Sequence, residues 1–231
     1  GTNEKVKLQI TCPDQSCYTY LISDRGTYDT FPLTAGNGSY TLQVLENVAG
    51  DTYTVSLTQS INVSIEDEFL PFLYPNQYVN FHTDSQAVSK SSDLAKDTYS
   101  DLDVVQNIYN YVIKNISYDT EKAQNVSYGY VPDIDDTLSS KKGICFDYAA
   151  LMTSMLRSQN IPTKLEVGYS GDAYHAWIST YIDDKGWVDD IIQFNGDTWQ
   201  IMDPTLAATN DSAAVKKYIG DGSHYVVKYT Y

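Results

Sequence analysis

The chain is short of arginine and has only three histidines and three cysteines among its 231 residues. It also has no apolar run long enough to span a bilayer. Each shortage excludes something. Scattered histidines without Cys/His pairs at ligand spacing make a zinc site unexpected. The carboxylates between 119 and 142 do not follow calcium-loop spacing, so neither a metal nor a cofactor is expected. Positive charge is scarce too: 15 Lys+Arg stand against 30 Asp+Glu, a formal charge of −15. The isoelectric point is near 4.3. Such a surface repels phosphate backbones and anionic lipid, so nucleic acid and membrane are not expected partners. The acids lie in short pairs such as Asp183-Asp184 and read as a solvated face. No basic-then-apolar leader opens the chain. The expected location is nevertheless outside the cell or at its surface, with an export segment already removed.

Tyrosine, by contrast, is abundant, at 21 residues accompanied by Asn, Ser and Thr. Arg-poor acidic chains of this kind often work outside cells, and Tyr faces can bind glycans or peptides. The plainer reading is that Tyr fills strand positions, where it fits well.

Two regions follow from the patterning. From about Val6 to about Phe81, apolar and polar residues alternate in short stretches: Val6–Ile10, Tyr40–Leu45, Tyr53–Leu57 and Ile61–Ile65. Turn signals at Asp24-Arg25-Gly26, Gly36-Asn37-Gly38 and Ala49-Gly50-Asp51 separate them. This predicts an antiparallel β-sandwich over 1–85 as an accessory domain. The polar, Ser-rich stretch 86–97 reads as a linker. A second domain spans 98–231. There Ser100 offers a cap and Leu102, Val105, Ile108, Tyr109, Val112, Ile113 and Ile116 form one helical stripe. Residues 119 to 142 read as a long polar loop that could line a cleft. A helix is expected from Cys145 to Gln159, stopped by Asn160 and Pro162. Strands follow at Lys164–Tyr169, His175–Ile182, Trp199–Met202 and Tyr225–Tyr231. Helices first and an antiparallel sheet after is an α+β layout.

The chemistry centres on one thiol. Cys12 and Cys17 bracket a turn-like Pro13-Asp14-Gln15-Ser16, and if they pair, Cys145 is the odd cysteine. A buried, inert thiol is the ordinary alternative. Cys145 lies in Lys142-Gly143-Ile144-Cys145-Phe146-Asp147-Tyr148, where Gly143 allows close approach of loop and helix. At the first helical turn, free N–H groups and the helix dipole favour a thiolate and can hold a developing oxyanion. His175 follows 30 residues later (175 − 145) and Asp203 a further 28 (203 − 175). Strand alternation puts His175 on one face with Trp177, Ser179 and Tyr181. Neighbouring strands across the helix mouth would unite thiol, imidazole and carboxylate as a catalytic triad for acyl transfer.

With these segments in order, the chain resembles the transglutaminase-like superfamily, with its papain-like cysteine fold. The carriers are Lys142 to Ala149, Leu156-Arg157, Asn160-Ile161-Pro162, His175-Ala176-Trp177 and Asp203-Pro204-Thr205. The resemblance runs from about residue 98 to about residue 208. It implies Cys145 as nucleophile, His175 as base and Asp203 as orienting acid. Ser139 and Tyr118 are candidates for a second oxyanion donor.

Three activities fit. A cysteine peptidase or amidase would cleave peptide or protein substrates, for example in a cell wall or on a surface protein. A transglutaminase would cross-link glutamine to an amine. A binding or adhesion protein would use the Tyr-rich domain and keep the second as scaffold. Hydrolysis is expected, because Gly171-Asp172-Ala173 before His175 and the open 119–142 loop suit a water-accessible cleft.

Overall fold

The computed structural model describes residues 5–22, 26, 28–183, 185–188, 192–194, 199–201, 205, 208 and 225–231. The chain forms two compact units, Gly1–Pro71 and Phe72–Tyr231.

The first unit contains β1 (Val6–Thr11), β2 (Cys17–Leu21), β3 (Gly38–Ala49) and β4 (Thr52–Val63). They form an antiparallel sheet in the order β2-β1-β3-β4. Alternation decides which face is buried: Ile10, Tyr18, Tyr20 and Tyr40 are buried while intervening residues meet solvent. The antiparallel reading holds, but among the described residues this unit is one sheet and not the two layers of a sandwich. The two stretches expected at 53–57 and 61–65 join in a single strand, β4. Thr58-Gln59-Ser60 between them contains no residue that forces a turn, so the ladder with β3 continues. Cys12 and Cys17 are free thiols, the first buried and the second exposed.

The second unit packs helices on an antiparallel sheet, the expected α+β arrangement. Its helices are α1 (Gln86–Leu94), α2 (Asp101–Asn115), α3 (Thr120–Asn125), α4 (Ile134–Ser140) and α5 (Cys145–Arg157). Two short strands, β5 (Ser117–Tyr118) and β6 (Lys142–Gly143), pair in parallel. The main sheet holds β7 (Thr163–Ser170), β8 (Ala173–Ile182), β9 (Gly186–Val188) and β12 (Tyr225–Thr230), ordered β12-β7-β8-β9. A separate pair joins β10 (Ile192–Phe194) and β11 (Trp199–Ile201).

Helix α5 is the axis of this unit, packing against α1, α2, α4, β7 and β8. Every residue from Asp147 to Arg157 is buried, as expected for a helix surrounded by other elements. The expected cap of α2 is present, with Ser100 Oγ accepting from Asp103 N at 3.2 Å.

The expected linker at 86–97 is instead largely helix α1. Its own N-cap, Ser85, makes no side-chain cap bond. The Asp135 carboxylate supplies it, accepting from Gln86 N at 3.0 Å and Ala87 N at 2.9 Å. Serine content misled because the stabilising group lies far along the chain. The compact units also divide at Pro71/Phe72, ahead of the boundary expected at 85. Residues 119–142 carry α3 and α4, capped by Asp119 and Asp133. Both helices are too short to show an apolar period.

Candidate active site

Cys145 is the first residue of α5 and is partly exposed. The turn that carries it is anchored on several sides. Asp119 N donates to Gly143 O and Ser117 N to Lys141 O, each at 2.9 Å, which ties the approach to the helix to the segment leaving α2. Tyr148 Oη donates to Ile116 O at 2.7 Å, buried, and fixes α5 against the end of α2. Gly143 is required there. A Cβ at this position would lie 2.7 Å from Asp147 Cβ and 3.3 Å from Thr137 Cγ2. The close approach read from the sequence is therefore present.

The largest feature missed in the sequence is Asp147, fully buried at the third helical position. Its Oδ2 accepts from Ile144 N at 2.8 Å, half of a capping box. The same oxygen meets Lys122 Nζ at 2.7 Å, and Oδ1 accepts from Tyr130 Oη at 2.5 Å. Lys122 Nζ also donates to Tyr130 Oη at 2.7 Å. Burial first, then the bond to Asp147, holds the Tyr130 phenol well above its ordinary range, so it stays a donor. An acid three residues past a helix start was a legible cap signal; its partners, brought from the 119–142 excursion, had none.

Aromatic rings surround the neighbouring Phe146. Tyr78 lies 5.3 Å and Tyr130 6.5 Å from it, centroid to centroid. Burial pushes the Tyr78 phenol up to about 12.

His175 lies on β8, opposite Gly168 of β7, and is fully buried. Its ring stacks on Trp177 at 6.0 Å, as their shared face predicts, and lies 6.4 Å from Tyr225. Across the same face Ser179 Oγ donates to Glu166 Oε2 at 2.6 Å. Gly168 admits the edge strand, since a Cβ there would fall 2.0 Å from Val226 O. Tyr174, immediately before His175, is 56 % exposed. Burial raises its phenol pKa, reinforced by Tyr229, Tyr169 and Cys145. Helix α5, which Cys145 opens, packs on β8, the strand that bears His175. Asp203 and His224 lie outside the described residues.

Of the two oxyanion candidates, Ser139 lies on α4 and Tyr118 on β5. Ser139 Oγ donates within α4 to Asp136 O at 3.2 Å, and Tyr118 is placed beside Gly143 by backbone pairing. His82 is paired with Asp84 on the surface. Among the described residues no group of three or more His, Cys, Asp or Glu could hold a metal ion, and no helix is long and apolar enough to cross a membrane.

The 119–142 excursion does form a cleft, of about 680 Å³, with Asp119, Glu121, Lys122, Tyr130, Asp136 and Lys142 among its walls. Lys122 and Tyr130 thus face both this cleft and Asp147.

Residues 88–189 match the family model of the Transglutaminase-like superfamily. The UPF0252 protein MJ1282 of Methanocaldococcus jannaschii is 30 % identical over 118 residues, covering 44 % of this chain and 34 % of that protein. The kyphoscoliosis peptidase of Mus musculus is 30 % identical over 107 residues, covering 41 % of this chain and 16 % of that protein. The chain therefore spans about a third or less of these curated relatives. Among solved structures, the periplasmic domain of TgpA from Pseudomonas aeruginosa aligns with a TM-score of 0.48 at 13 % identity, covering 94 % of this chain and 91 % of that one.

Proposed function

We propose, from a chain whose residues 88–189 match the family model of the Transglutaminase-like superfamily, that it is a cysteine hydrolase acting on amide bonds of peptides or proteins. Proteins of this superfamily are generally enzymes. The observation that carries the reading is Cys145 opening α5, a helix packed on the strand that bears a fully buried His175. A buried imidazole is an expensive residue to keep without a task.

In the proposed mechanism His175 takes the thiol proton and the Cys145 sulfur attacks the amide carbon. The N–H of Cys145 and its neighbours on the first turn face the developing oxyanion. The C–N bond then breaks, and imidazolium returns the proton to the leaving amine. A thioester is left. Water gives a proton to His175, attacks the thioester and expels the thiolate, yielding the acid and the free enzyme. Asp203 is assigned to orient the imidazole. The 119–142 cleft would take part of the polypeptide. An acidic, Tyr-rich chain suits work outside the cell on a wall or surface protein.

The test is alkylation of Cys145 by iodoacetamide near neutral pH, followed by mass spectrometry. Alkylation is expected to be fast in the parent and at least about 10-fold slower in His175→Ala. Equal, slow rates in both would defeat the reading and leave a scaffold. Ammonia release from a glutamine peptide, with and without added amine, then separates hydrolysis from cross-linking.

A further inference from the structure

A carboxylate two residues from a nucleophilic sulfur is an electrostatic liability, because a like charge disfavours the thiolate. Yet Asp147 is fully buried on the same helical turn as Cys145 and holds the Ile144 N–H at 2.8 Å. What offsets its charge comes from another element. Lys122 on α3 reaches Asp147 Oδ2 at 2.7 Å with its own side chain only 26 % exposed. Tyr130, neutral and donating to Oδ1, adds a hydrogen bond and no charge.

We propose that Lys122 is a positioning residue for Cys145: by neutralising Asp147 it lets a carboxylate brace the nucleophile's turn without opposing the sulfur's negative charge. The proposal rests on Cys145 being the nucleophile. Other charged or titratable groups face this turn. Tyr174 does so from β8, and Tyr78 from beside Phe146. Asp133 and Asp136 act on Tyr130 from the α4 end, Tyr148 is bonded to Ile116, and Arg157 lies at the far end of α5. Of these, only Lys122 is a cation in contact with the first turn among the described residues.

A purely structural ion pair and this arrangement predict different results. If the pair only holds the fold, removing either member lowers stability and the sulfur's pH response stays put. If Lys122 cancels Asp147, the two removals act in opposite directions on that response. The full chain is alkylated with iodoacetamide across pH, and modification of the Cys145 peptide is followed by mass spectrometry, which separates it from Cys12 and Cys17. Lys122→Met should raise the pH of half-maximal rate by about one unit, the size of effect expected from one nearby uncompensated charge. Asp147→Asn should lower it, Lys122→Arg should leave it near the parent, and the double variant Lys122→Met/Asp147→Asn should return close to it. Circular dichroism confirms that each variant is folded. Should Asp147→Asn fail to fold, the Lys122→Met and Lys122→Arg pair decides alone. An unmoved or lowered midpoint in folded Lys122→Met overturns the proposal, and so does its failure to fold. The functional reading fails separately, if Cys145→Ala still cleaves the peptide, because the pH response needs no turnover.

Discussion

At the residue scale, Arg157 shows how α5 is held from the end opposite Cys145. Its guanidinium donates to Thr163 O at 2.9 Å, Tyr74 O at 2.8 Å and Tyr231 O at 2.7 Å. Burial pulls this group down to about 9, which still leaves it protonated at neutral pH. Three backbone oxygens accept from it, and each joins a different segment to the end of α5. Arg157→Met would remove the donor to all three oxygens, of which Tyr231 O keeps the Leu165 N–H. The expected loss is about 3 kcal/mol of unfolding free energy, read as a lower urea midpoint. Lys cannot present the same planar fork, so Arg157→Lys should recover only part of it.

At the scale of elements, long apolar patterns were legible and borrowed stabilisation was not. The stripe through Leu102, Val105, Ile108 and Val112 announced α2, and Ser100 gave its start. The β7 and β8 strands and the α5 start were readable because each has a strong local pattern and a definite stop. Helix α1 was not, because its cap comes from Asp135, 49 residues from Gln86 in sequence. Asp135→Ala should therefore cost about 0.5–2 kcal/mol, the usual value of an N-cap. It should also speed hydrogen exchange at the amides that open α1 while those at the centre of α5 stay protected. Equal exchange in both proteins would show that Asp135 is not the cap. For the candidate site, a helix start at Cys145 and a strand through His175 were legible, and α5 and β8 run there. The Lys122–Asp147–Tyr130 cluster was not, since proximity of an excursion to a helix start is a tertiary fact. The candidate acid Asp203 lies outside the described residues.

For the whole molecule, the abundance of tyrosine has a thermodynamic signature. Burial raises the phenols of Tyr78, Tyr130 and Tyr148, that of Tyr78 from 10.0 to about 12. For a group whose pKa is raised by folding, the unfolded chain loses its proton first. The contribution to stability is then complete below the unfolded value and is lost as pH climbs through the folded one. For Tyr78 that window runs from 10.0 to about 12. Alkaline titration should show exposed tyrosines ionising early and these phenols ionising later, together with loss of the near-ultraviolet dichroism of packed rings. A single smooth titration at the ordinary tyrosine value, with the fold intact, would contradict the burial described.

The parallel pairing of Ser117-Tyr118 with Lys142-Gly143 fastens the two ends of the cleft-forming excursion to each other just ahead of the thiol. Closing a longer loop over such a clasp is cheap, about 0.6 kcal/mol for each doubling of length. Within the excursion, Lys122 and Tyr130 meet Asp147, Asp135 caps α1 and Thr137 packs beside Gly143, so length can vary most readily between these anchored positions. The clasp is thus the seam between the excursion and the turn that carries the sulfur.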